Sequence, residues 1–218
     1  ITYRAESSIQ TCSICHKEQL TNAVCENSHF ICDACHSYGT YAPVIAALRD
    51  STEKDALLLL EKIMDLPSVH MHGPEHHAIV PCVLLTAFRN NGEHMNYDAA
   101  LSEICKRAKQ VPGGTCGYWG VCGAAAGAGI FMSVMTGSSP LHKDAWPFPQ
   151  KLVSIILSRL ADVGGPRCCK RTSRIAIEEA VHFYSQFCSV NIPLSSITCK
   201  YCEDNRECIQ EDCPYYPE

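Results

Sequence analysis

From Val111 to Leu141 the chain reads VPGGTCGYWGVCGAAAGAGIFMSVMTGSSPL, with no charged side chain. Charged residues make up 19% of the sequence, so a silent run of this length predicts a central, buried stretch. Its first half is punctuated by Pro112, Gly113, Gly114, Gly117 and Gly120, which predict a tight loop. Its second half, Ala124 to Gly129, predicts a thin helix that neighbours can press against. The apolar part, Val121 to Met135, is broken by glycines and shorter than the ~18 residues of a membrane span.

Around this stretch, apolar residues recur at helical spacing. Leu57 to Met64 predict one helix, capped near Ser51 or Thr52 and stopped by Pro67. Pro74 suits the first turn of another, carrying Ile79, Val80, Val83, Leu84, Ala87 and Phe88, with Pro81 kinking it. Tyr97, Leu101, Ile104, Cys105 and Ala108 form a third stripe. Leu152 to Val163 and Ile177 to Cys188 form two more, the first ended by Gly164-Gly165-Pro166. Outside the N-terminal segment no run alternates over a strand's length. The expected fold is mainly α: a helical bundle core over residues 41–195, a small N-terminal zinc-ribbon or treble-clef-like module over 1–40, and a cysteine-rich tail over 196–218.

Composition sharpens this picture. A net charge of −5 argues against nucleic-acid binding by general basicity. The opening ITYRAESSIQ is polar and lacks the apolar core of a signal peptide. The sixteen cysteines matter most. A helical core of this size can stand without disulfides, so C-x-x-C pairs point to metal sites in a reducing cytoplasm.

Four constellations could carry chemistry. Cys12-x-x-Cys15 and Cys32-x-x-Cys35, sixteen residues apart, match a structural zinc site of two thiolate knuckles. Cys25, His29 and His36 lie nearby. Cys116 and Cys122 sit where the glycine loop feeds its helix, and a helix start favours thiolates. Cys168 and Cys169 lie in a second glycine loop beside Arg167, Lys170 and Arg171, whose charge would offset that of a cluster. Cys116, Cys122 and one of the adjacent pair are expected to hold a 4Fe-4S cluster with one iron open; ordinary core packing and a metal-free redox thiol are the alternatives. Cys199-x2-Cys202-x5-Cys208-x4-Cys213-Pro214 suggests a second cluster, or zinc. Finally, His70-Met-His72-Gly-Pro-Glu75-His76-His77 places imidazoles and a carboxylate at a helix start. His72, Glu75 and His76 are candidates for proton transfer, with hydrogen-bonded helix-end histidines as the plain alternative. Cys82, Cys105 and Cys188 fall on apolar helix faces and read as packing residues.

The blocks CDACH, MHGPEHH, VPGGTCGYWGVCGAA, GGPRCCKR and the terminal cysteine run resemble a family of cysteine-rich proteins of methanogenic archaea and anaerobic bacteria, classed as a domain of unknown function. The resemblance covers nearly the whole chain and implies anaerobic metal chemistry without naming a reaction. CGYWGVCGAAAGAG is also similar in style to the cluster segment of iron–sulfur L-serine dehydratases and cysteine desulfidases. The expectation is an oxygen-sensitive iron–sulfur enzyme of sulfur or small-molecule metabolism, with Arg167 and Lys170 holding an anionic group of the substrate. A non-enzymatic accessory or maturation protein docking on a larger metalloenzyme is the second reading, and RNA binding through the zinc module the third.

Overall fold

The computed structural model describes residues 2–25, 27, 29–188 and 190–217. Two antiparallel strands, β1 (Thr2–Thr11) and β2 (Glu18–Val24), open the chain. Eight α-helices follow among the described residues: α1 (Asp33–Asp50), α2 (Ala56–Met64), α3 (His76–Asn90), α4 (Tyr97–Ala108), α5 (Thr115–Tyr118), α6 (Gly123–Thr136), α7 (Pro147–Val163) and α8 (Cys169–Tyr184). The chain is mainly helical, and no helix among the described residues is long and apolar enough to cross a membrane.

The hub is α3. Every residue from His76 to Phe88 is buried, and α3 packs against α1, α2, α4, α6 and α8. A helix apolar all round belongs at a centre; His76, His77, Pro81 and Thr86 hide that pattern in the sequence. The uncharged run is only half buried. Its helix α6 packs against α3, α4, α7 and α8, but its loop leaves Tyr118 and Trp119 exposed.

Glycines set the distance between α3 and α6. A Cβ on Gly123 would stand 2.0 Å from the His77 ring, and one on Gly127 2.5 Å from the His77 carbonyl oxygen. Pro81 has no N–H to take that carbonyl, so it faces the glycine helix. Behind this seam, Phe88, Phe131 and Tyr184 pack with ring centroids 4.7–5.5 Å apart.

The cap of α2 is Asp55, not Ser51 or Thr52. Its Oδ1 accepts from the Leu57 and Leu58 N–H groups at 2.9 Å, and its Oδ2 takes the Ser195 N–H at 2.7 Å. One buried carboxylate thus starts a helix and ties down the segment leading to the tail. The tail closes over α2 and α8: the Tyr201 hydroxyl donates to Asp65 at 2.7 Å and that of Tyr215 to Glu178 at 2.9 Å. The division expected at residue 40 falls inside α1, so the N-terminal cysteines and the bundle share one helix.

Candidate metal centre

The first centre is complete. The Sγ atoms of Cys12, Cys15, Cys32 and Cys35 all lie within 4.8 Å of one another. Cys12 and Cys15 form a turn after β1, where His16 adopts φ 57°. Cys32 caps α1 and Cys35 lies in its first turn. The Cys32 N–H reaches Cys12 Sγ at 3.4 Å, and Cys15 Sγ is 3.7 Å from Cys32 Sγ. The Cys15, Cys32 and Ile14 N–H groups hold the Cys12 thiol down at about 6, while the neighbouring Cys15 thiol pushes Cys35 up to about 12. Four cysteine sulfurs gathered this closely can bind an ion such as zinc or iron, releasing protons as they do so. Among the described residues, Cys12, Phe30 and Cys32 form a small buried cluster here, with Cys15, Ile31 and Cys35 packed against it.

The second feature is a cavity of about 1140 Å³ at one end of the bundle. Its wall includes residues from the first turns of α1, α3, α6 and α8, together with the α5 loop. Helix N-termini carry partial positive charge and free N–H groups, so this end favours anions. The hairpin forms the opposite wall. Asn22 donates to the Tyr118 hydroxyl at 2.7 Å, and the Gly113 N–H donates to Asp33 at 2.7 Å.

Cys116, Cys122, Cys168 and Cys169 all line this cavity, though they come from separate segments. They do not form a ready sphere for one ion: among the described residues, the only groups of three or more such side chains with ligand atoms within 4.8 Å are the N-terminal four and a His36–His70–Glu75 set. Burial raises Cys122 against the opposing N–H groups of Ala124 and Ala125 and the Thr172 hydroxyl. Burial pushes Cys169 up to about 12 against the Gly73 N–H. Burial therefore favours the protonated form of both thiols.

The adjacent pair divides. Cys168, the cap of α8, also lines a small cavity with Cys199, Cys202, Cys208 and Cys213. Arg171 and Arg174 share that lining. No motif points to Arg174. It is fully buried, forks onto both Glu61 oxygens at 2.7 and 2.9 Å, and stands over the Tyr215 ring. A basic residue three positions after Arg171 on an apolar helix face is the signal that could have found it.

His72, Glu75 and His76 do not converge. His72 Nε2 is 3.0 Å from Asn205 Oδ1, and His76 Nδ1 is 3.2 Å from the Gly73 carbonyl oxygen. Those oxygens only accept, so each of these nitrogens carries the proton. His72 Nδ1 and His76 Nε2 are left as acceptors without partners among the described residues. Both histidines line the cavity, as does His77, whose Nδ1 is 3.1 Å from the Val111 carbonyl. Burial holds His76 well below the ordinary imidazole range. Glu75 instead faces His70 and His36.

Arg167 lines the cavity, with its guanidinium over the Tyr3 ring. Lys170, expected beside it, is buried away from that wall. Its ammonium donates to the Met64 carbonyl at 2.9 Å and lies over the Tyr201 ring, so it braces the tail. Cys82 and Cys105 pack thiol to thiol at 3.7 Å between α3 and α4.

No curated protein and no solved structure matches this chain. One family model matches residues 44–216, which span the bundle, the cavity cysteines and the tail but begin after the N-terminal centre. The chain belongs to that family, a family of unknown function designated DUF5714.

Proposed function

We propose that the protein is an iron–sulfur enzyme that acts on a small anionic molecule held in the cavity, by lyase-like or sulfur-transfer chemistry. The observation that carries this reading is one chamber lined by thiols from two distant segments, Cys116 with Cys122 and Cys168 with Cys169, and by two imidazoles whose acceptor nitrogens are buried without partners among the described residues. The donor set fits a 4Fe-4S cluster. Thiolates on different irons of a cube stand farther apart than thiolates on one ion, and nearby backbone N–H groups favour the charged forms of Cys122 and Cys169 against their burial. Cys116, Cys122 and Cys169 would be the protein ligands. When bound, such a cluster supplies an iron open to substrate, a Lewis acid or a seat for labile sulfur.

The chain's own residues do the rest. Arg167 holds the anionic group. His76, neutral at pH 7 and fixed by the Gly73 carbonyl, accepts a proton at Nε2. His72, fixed by Asn205, accepts one at Nδ1. Cys168 with Cys199, Cys202, Cys208 and Cys213 would hold a second centre, whose charge Arg171 and Arg174 offset.

Anaerobic purification with iron and acid-labile sulfide analysis tests the reading. Wild type should hold both, and Cys122→Ser and Cys169→Ser should each lose iron. His76→Ala should keep the iron and lose turnover. Protein lacking iron and sulfide overturns the reading. A second reading, an accessory protein docking on a larger metalloenzyme, is favoured by Leu20, Tyr118 and Trp119, which are more than half exposed on the cavity wall. Under it, Trp119→Ala would abolish anaerobic co-purification of the partner and leave metal content unchanged.

A further inference from the structure

Outside the cysteine sites, one group of titratable side chains converges between α1 and α3. His36 lies in the first turn of α1, Glu75 immediately precedes α3, and His70 lies in the loop ahead of it. We infer that these three side chains form a mononuclear site for a divalent transition-metal ion, with a position left open for water or substrate. The inference goes beyond the iron–sulfur reading and does not depend on it.

The carboxylate is the anchor. Glu75 has no exposed side-chain surface. Its Oε1 accepts from the His70 N–H at 3.0 Å and lies 3.0 Å from His70 Nδ1. Its Oε2 has no partner among the described residues, and neither has His36 Nδ1. These two atoms face each other at 3.9 Å, too far for a hydrogen bond. A pure hydrogen-bond network would leave both buried and unsatisfied. An ion with bonds of about 2.0–2.2 Å spans that gap and satisfies both.

The rest of the pocket agrees. The His36 and His70 rings lie 4.3 Å apart, and the nitrogen and oxygen donors of all three residues lie within 4.8 Å. A Cβ on Gly73 would come within 2.0 Å of Glu75 Oε2, so the residue beside the carboxylate must be glycine for it to lie here. Two imidazoles and one carboxylate suit zinc or ferrous iron better than calcium or magnesium, which take oxygen donors. Three protein ligands leave the fourth position open, and the His70 side chain, 49% exposed, gives access from solvent.

The test uses the full chain, dialysed anaerobically against zinc alone, in wild type, His70→Ala, Glu75→Gln and Cys35→Ser. Bound zinc is counted, and its nitrogen, oxygen and sulfur neighbours are read by X-ray absorption. His70 is half exposed, so its truncation should leave the fold intact, read as unchanged helical circular dichroism. It should bind one zinc fewer than wild type, or bind that zinc at least tenfold more weakly. Nitrogen and oxygen neighbours should fall while sulfur neighbours stay. Cys35→Ser should show the reverse. Glu75→Gln should match His70→Ala if it folds; if it does not, His70→Ala decides. Zinc content and neighbours unchanged in a folded His70→Ala overturn the site.

Discussion

Replacing Gly127 by alanine tests the seam that positions the cavity. In an unconstrained helix interior this change is favourable by about 1 kcal/mol, because alanine loses less backbone entropy. Here the new Cβ would stand 2.5 Å from the His77 carbonyl oxygen and 2.9 Å from Pro81 Cδ. The nearer obstacle is backbone and cannot rotate away. Ordinary contact begins near 3.4 Å, so α3 and α6 must part by roughly 0.9 Å. Overpacking of this kind costs about 1–3 kcal/mol, and a backbone clash belongs at the upper end. Set against the propensity gain, the net loss is about 1–2 kcal/mol. Gly39 is the internal control: it lies within α1, where an added methyl would find nothing within 4 Å, so Gly39→Ala should gain about 0.5–1 kcal/mol. At about 2–4 °C per kcal/mol for a chain of this size, thermal unfolding of the two variants should move in opposite directions. A Gly127→Ala protein that melts at or above wild type refutes the close approach of α3 and α6.

The remaining predictions concern charge, capping and metal. Glu61→Gln leaves the fully buried Arg174 without its counter-charge and should cost about 3–5 kcal/mol in denaturant unfolding; a loss under about 1 kcal/mol would mean the guanidinium is wet. Asp55→Ala removes the cap of α2 and strands the Ser195 N–H, so about 2 kcal/mol should be lost and the segment near Ser195 should become the first protease site. Stripping metal from Cys12, Cys15, Cys32 and Cys35 should open the hairpin to proteolysis while most helical circular dichroism survives, because the buried cluster around these cysteines is small among the described residues. An unchanged cleavage pattern after chelation would show that the hairpin is held by the bundle instead.

The sequence disclosed most where one residue type carries the physics. Cysteines in C-x-x-C pairs with fixed separation announce a shared ion, and the structure gathers those four sulfurs between a turn after β1 and the start of α1. Helical stripes announce α2, α4 and α7, each with one apolar face. What stays hidden is set by tertiary contact. Helical spacing marks α3 as well, but not its burial on every side, because its histidines, proline and threonine interrupt the apolar pattern. The split between Cys168 and Cys169 depends on where α8 begins, which no motif states. Arg174 and Lys170 look like solvated charge, yet one pairs with Glu61 and the other with a carbonyl at the end of α2. Glu75 lies in a visible motif, but its partner His36 is 39 positions earlier, on a helix whose pattern is legible only after Thr40.

One physical feature sorts the cysteines into kinds. Cys32, Cys122 and Cys168 are helix caps, Cys35 and Cys169 lie in first turns, and Cys116 is the second residue of α5. Each stands where N–H groups lack carbonyl partners, so a sulfur that gives up its proton meets donors at once. A single helix start stabilises an anion by about 0.3–1 kcal/mol at an exposed position and by more where water is excluded. Four starts around one cavity oppose the burial that raises Cys122 and Cys169. Cys82 has no such help. It lies mid-helix in α3, where contact with the Cys105 thiol and burial both drive it further toward the protonated form. A thiolate at a helix start thus has N–H donors to stabilise it, whereas Cys82, of the same residue type, meets only an apolar helix seam and a second thiol. That distinction follows from backbone position together with burial and the neighbouring Cys105 thiol.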